Sequence, residues 1–288
     1  MPGPVWPAPT APRPSVTPLR QVTSARNPAL ALVRALGAKK VRRERRLVVA
    51  EGEDLVVAAL DRGARPVAVL FDTDRLAPDD PLLERTKDVA ERYAVPGSLL
   101  GRVSTLAAPP RVVAVLPQPG PHHFRTVTFP PSLALYLTAV SDPGNVGTLV
   151  RTAAALGCDW LALGPGSADA AHPRAVRAAM GATFALPILE GVAPEDLGTR
   201  HGFQVVAAVA SGGRPPWEVD LARPSVLALG AERAGLRPFL GALAPAGDAV
   251  LVTIPQAPGA ESLNVAAAGA AILAEAVRQR ASGSLRVT

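Results

Sequence analysis

Three times in the second half of this chain an apolar run breaks at a glycine-bearing turn and leads on toward a helix. Leu133–Val140 runs into Ser141-Asp142-Pro143-Gly144-Asn145-Val146-Gly147, and Val226–Leu229 into Gly230-Ala231-Glu232-Arg233-Ala234-Gly235. Ala249–Ile254 runs into a loop that ends at Ser262-Leu263-Asn264. Strands joined through helices pair in parallel, so the expected fold class is α/β, a mostly parallel sheet flanked by helices. Ligands of such sheets sit at the carboxyl ends of the strands, where backbone N–H groups and positive helix ends gather. Further strands are expected at Trp160–Leu163 and Gln204–Val209, with helices near Val146–Leu156, Pro173–Met180 and Leu263–Arg280.

The first half carries a shorter series of the same kind. Helices are expected at Ala29–Leu36, Asp54–Arg62 and Pro81–Arg92, and strands at Leu47–Ala50, Val67–Phe71 and Val112–Val115. This alternation predicts a small α/β sandwich over residues 23–116. Before it, prolines at 2, 4, 7, 9, 12, 14 and 18 deny the backbone both helix and central strand, so residues 1–22 are expected to be a disordered arm. After it, Pro117, Pro119, Gly120 and Pro121 predict a linker over 117–130, with the second domain spanning 131–288.

Charge separates the halves. Through Arg111 there are 18 Lys+Arg against 12 Asp+Glu, and from Leu116 onward 12 against 12. Lys39–Arg46 alone holds six basic residues and one acid. A one-sided basic excess is the footprint of a polyanionic partner, or else a solvated basic face. Cys158 is the only cysteine, which excludes an intramolecular disulfide and a Cys-rich zinc site and fits a reducing compartment. Met1-Pro2-Gly3-Pro4 lacks the basic-then-apolar start of a signal peptide, and no apolar run reaches the roughly 20 residues of a membrane span. The expectation is a soluble cytoplasmic protein.

The candidate chemistry lies at the three turns. Asn145 sits where a strand passes into a helix, and Arg151, about one and a half turns on, is expected to reach back toward the same mouth. The glycine spacing is G-x-x-G, which is not the G-x-G-x-x-G fingerprint of a dinucleotide loop. Ser262 is placed as the N-cap of the last helix, with Asn264 in its first turn.

Together the three segments resemble the signature motifs of the SpoU/TrmH family of the SPOUT superfamily of RNA methyltransferases. Asn145, Gly147 and Arg151 match N-x-G-x-x-x-R; Gly230, Glu232, Gly235 and Leu236 match G-x-E-x-x-G-L. Ile254, Pro255, Ser262, Leu263, Asn264 and Val265 match I-P-M-x-G-x-x-x-S-L-N-V. Val176–Ala182 and Leu186-Pro187 resemble an intervening family segment that contributes Arg177. Gln256 stands for the usual methionine, Pro258 for a glycine and Ala179 for a serine. More weakly, Asn27-Pro28, Arg42–Arg46 and Glu51-Gly52 resemble the ribosomal-protein-like domain that precedes many members.

The resemblance implies a trefoil-knotted catalytic domain, a homodimer and S-adenosyl-L-methionine as methyl donor, without a metal. The implied activity is methylation of a ribose 2′-hydroxyl in RNA, with 23S ribosomal RNA ahead of transfer RNA. It implies catalytic roles for Arg151, Asn145, Glu232, Ser262 and Asn264, and cofactor contacts at Gly230, Ile254, Gln256 and Leu263. RNA contacts fall on Arg42, Arg43, Arg45, Arg46 and Arg177. Arg151 is either a general base or, since a guanidinium rarely gives up its proton, a clamp that stabilises developing charge. A nicotinamide oxidoreductase lacks its fingerprint here. A non-catalytic RNA-binding homologue is expected to have lost Arg151 or Asn264, and both are present.

Overall fold

The computed structural model describes residues 17–120, 122–231, 236–244, 249–259 and 262–284. The chain forms two compact units, residues 1–118 with 171–184, and residues 119–170 with 185–288.

In the first unit the chain runs β1 (Arg20–Gln21), α1 (Pro28–Ala35), α2 (Lys39–Arg45), β2 (Leu47–Glu51), α3 (Glu53–Asp61), β3 (Ala68–Asp72), α4 (Pro81–Arg85), β4 (Glu91–Val95), α5 (Gly97–Leu100) and β5 (Val112–Pro117). The sheet order is β1-β4-β3-β5-β2, with β5 antiparallel to both its neighbours. Alternate residues divide between two cores. Leu47, Val49, Leu70, Val113 and Val115 pack with Leu30, Val33 and Leu36 of the α1 segment. Val48, Ala50, Val69, Phe71 and Ala114 pack with Leu55, Val56 and Ala59 of α3. Both faces are covered, so these strands read as unbroken apolar runs.

Three expectations for this unit are corrected. The helix over Pro81–Arg92 stops at Arg85, and Glu91–Val95 is a strand. Arg92 disguises that strand, because its guanidinium is only 3% exposed and donates to the carbonyls of Thr17 and Leu83. The arm expected over 1–22 has residues 1–16 outside the described residues, but Thr17 donates its N–H to Lys87 O and β1 pairs with β4. Val22, 2% exposed, fills the α1 core and anchors this edge.

Arg42 is the third correction. Expected to meet RNA, it is 1% exposed, and its Nη1 donates to Leu36 O at 2.9 Å and to Gly37 O at 2.7 Å. A fixed cation at the end of α1 satisfies carbonyls that have no partner inside the helix. Arg42→Ala is expected to leave those buried acceptors unpaired and cost about 2 kcal/mol. It should lower the midpoint of thermal unfolding by several degrees and leave the salt dependence of RNA binding unchanged.

The second unit contains β6 (Leu133–Leu137), α6 (Pro143–Ala155) and β7 (Trp160–Leu163); after α7 (Pro173–Ala179) come β8 (Ile188–Glu190), α8 (Pro194–Gly198), β9 (Gln204–Ala208), β10 (Ser225–Leu229), α9 (Leu240–Leu243), β11 (Val250–Val252) and α10 (Val265–Ser284). Its six strands are all parallel, in the order β11-β9-β10-β6-β7-β8. The expected knot turns on how the chain threads between β10 and α10, where residues 232–235, 245–248 and 260–261 lie outside the described residues. No described helix is long and apolar enough to cross a membrane.

The expected domain boundaries change in two places. Residues 171–184, assigned with the second half, belong to the first unit: Ala171, Val176 and Phe184 join the core that β2, β5 and α3 share. Gly181 permits this, since a Cβ there would lie 2.9 Å from Cβ of Ala58 on α3. Residues 119–130 are no linker; Phe124, Val127 and Phe129 pack into the second core, and Trp160 Nε1 donates to Thr128 O. The prolines hid three apolar anchors.

Candidate active site

The carboxyl ends of β6, β9 and β10 open onto two adjoining cavities that share Ala231 and Val265. The first, ≈ 260 Å³, is walled by the β6-to-α6 turn, Ala139 to Asp142, together with Asn145. The second is walled by Ala208–Ala210 at the end of β9, Leu229 and Gly230 at the end of β10, and Ile254, Gln256, Ser262 and Leu263 from the loop before α10.

Local chemistry sets the first turn. Asp142 is the N-cap of α6, its carboxylate accepting the Asn145 N–H at 3.0 Å, and Pro143 takes the first helical position. Ala139, lining the same cavity, sits at φ 57, a left-handed conformation that alanine rarely adopts. Its N–H donates to Pro165 O at 2.8 Å, and Thr138 beside it donates to Leu229 O, so the kink is held from two sides.

The N-cap of α10 is Asn264, not Ser262 as expected. Asn264 Oδ1 accepts from Ala266 N at 2.9 Å and Ala267 N at 3.3 Å, because the helix begins at Val265, two residues later than the expected Leu263. Asn264 Nδ2 donates to Asn145 Oδ1 at 3.0 Å and so ties the N-terminal ends of α6 and α10 together. The two helices also pack closely, since a Cβ on Gly269 would come within 2.6 Å of Leu149 and 2.8 Å of Leu229 side-chain carbons.

The structure brings Asn145, Asn264, Ser262 and all four expected cofactor residues, Gly230, Ile254, Gln256 and Leu263, to this one region. Glu232 lies outside the described residues. Arg151 is not brought in. Six residues beyond Asn145, it is turned about 240° around the helix axis and lies on the exposed face with Thr148 and Ala155. Arg43 is exposed and Arg45 and Arg46 are half-buried. Arg177 is half-buried, with Nη1 on the Thr105 hydroxyl at 3.3 Å; Thr105 is itself held by the buried Glu51 carboxylate.

Sequence reasoning missed Ala139, Asp142 and Ala208–Ala210. Asp-Pro ahead of an apolar helix signals a cap, whereas nothing local marks the left-handed alanine. Cys158 is no nucleophile: burial pushes its thiol up to about 12.

A model of the SpoU rRNA Methylase family matches residues 132–274. A model of the MRM3-like substrate binding domain matches residues 27–114. The chain is 32% identical over 284 residues to an uncharacterized tRNA/rRNA methyltransferase of Synechocystis, covering 94% of this chain and 98% of that protein. It is 30% identical over 259 residues to a 23S rRNA guanosine 2′-O-methyltransferase of Bacillus subtilis, covering 88% and 98%. Among solved structures, an AdoMet-bound rRNA methyltransferase from Sinorhizobium meliloti shares 34% identity, with a TM-score of 0.77 over 90% of this chain and 98% of that one.

Proposed function

The chain belongs to the SpoU rRNA methylase family, and on that footing we propose that it transfers a methyl group from S-adenosyl-L-methionine to a ribose 2′-hydroxyl of 23S ribosomal RNA. The observation that carries this is the convergence of Gly230, Ile254, Gln256 and Leu263 on one cavity in a chain whose two halves both match along the length of a 23S rRNA enzyme. The cavity's chemistry fits the methyl donor. Val209, Leu229, Val252 and Ile254 offer an apolar wall for a flat heterocycle, while Gln256 and Ser262 place polar groups at the rim.

When bound, the donor supplies an electrophilic methyl on a sulfonium whose departure leaves a neutral thioether, so the chain has only to position the ribose and manage one proton. Asn145, held by Asn264 through its carbonyl oxygen, presents its amide on the cavity wall where the ribose would sit. The positive ends of α6 and α10 favour the alkoxide character that develops there. Ser262, beside Leu263 at the rim, is a second hydroxyl partner for the RNA.

The chain works as a homodimer in the cytoplasm, with Arg151 serving the cavity of a second copy. Two features support this: Arg151 lies away from its own chain's cavities, and the neighbouring α10 exposes Ala267, Ala271 and Ala274. Arg43, Arg45, Arg46 and Arg177 grip the RNA backbone.

Isothermal titration is expected to give saturable binding of S-adenosyl-L-methionine and none of NADH. Tight NADH binding with no uptake of the methyl donor would overturn the assignment of the cavity.

A further inference from the structure

The second unit, residues 119–170 with 185–288, holds 10 Lys+Arg against 12 Asp+Glu, yet its charges are not evenly spread. Residues 119–130 and 199–203 carry Arg125, Arg200, His122, His123 and His201 and no acidic residue. They come together in space, because the Arg200 guanidinium carbon lies 3.9 Å from the centroid of the Phe124 ring and 5.2 Å from that of Phe129. Phe124 stands edge-on to the fully buried Trp160 at 5.7 Å, and Phe129 edge-on to Phe203 at the same separation. The guanidinium is therefore held on a rigid aromatic base before any partner arrives.

Arg125, His123 and His201 are exposed beside it. Neither Arg125 nor Arg200 forms an ion pair with any carboxylate of the described residues. The nearest acids in sequence, Glu195 and Asp196, are on α8, where Asp196 accepts the Ala193 N–H at 2.9 Å. Uncompensated arginines held over aromatic rings, with histidines around them, are the arrangement that suits phosphate and base together.

This face lies before β6 and before β9, at the amino ends of the parallel strands, whereas the cavities lie at their carboxyl ends. Strands of this length put the two regions at least about 17 Å apart. We infer that Arg200, stacked on Phe124, and Arg125 form a second RNA-contacting surface in the second unit. It engages backbone remote from the methylated ribose, so the substrate is a folded RNA far larger than its target nucleotide. The inference rests on the reading of the chain as an RNA methyltransferase.

The test is filter binding of full-length 23S rRNA to the intact protein across salt concentrations, for Arg125→Glu and for Arg125→Ala combined with Arg200→Ala. Each is expected to weaken binding about tenfold and to lower the log–log salt slope by about one to two units. Affinity for S-adenosyl-L-methionine should not change. Arg125 stacks on no ring, so the Arg125→Glu variant keeps the test valid if removing Arg200 disturbs folding. Wild-type protein that binds no RNA would overturn the functional reading and this surface with it. Variants matching a wild type that does bind would overturn the surface alone.

Discussion

Arg151→Ala is expected to reduce methyl transfer by about two to three orders of magnitude at saturating RNA and S-adenosyl-L-methionine. Binding of the methyl donor and thermal stability should stay near wild type. The argument is one of position. Arg151 is exposed on α6 and lines neither cavity of its own chain, so its removal leaves no buried gap and no unpaired partner. Single-turnover transfer measures the loss directly. A shared site makes a further demand, because Arg151→Ala keeps an intact cavity and Asn145→Ala keeps an intact Arg151. Mixed and re-equilibrated, these two variants should recover up to about a quarter of wild-type activity, since half the dimers are mixed and each has one complete site. Mixtures as inactive as their components would place Arg151 and Asn145 in service of the same copy.

The second large effect falls on RNA capture. The sequence reading treated Arg42, Arg43, Arg45 and Arg46 as one basic cluster, but Arg42 faces inward, so the test uses the other three. Arg46 sits at φ 53, where alanine would be strained, and asparagine removes its charge without that cost. Combining Arg43→Ala, Arg45→Ala and Arg46→Asn is expected to lower the log–log salt slope by about two to three units and weaken binding at least tenfold. The affinity for S-adenosyl-L-methionine should not move. An unchanged slope would mean that α2 is only a solvated basic face.

The parts of the site that could be read in the sequence were those governed by local rules. Gly230 follows a strand, Asn145 lies in the first turn of α6 and Asn264 just precedes α10, so both the elements and their approach to one sheet end followed from spacing. What escaped depended on tertiary neighbours. Arg42 and Arg92 look like surface charges until the carbonyls they serve are seen. Residues 119–130 look like a linker until Phe124 and Phe129 are found against Trp160 and Phe203. The strand Ile188–Glu190 is three residues long and pairs only at the sheet edge, too short to show any period. The place of 171–184 in the first unit rests on Gly181 meeting Ala58, a contact no window of sequence contains.

The central claim is tested most directly by the chemical identity of the product. The protein is incubated with 23S rRNA and isotopically labelled S-adenosyl-L-methionine, the RNA is digested to nucleosides, and the labelled species is identified by mass spectrometry. A single 2′-O-methylnucleoside is the predicted result. Label on a base, or no label although the methyl donor binds, would contradict it.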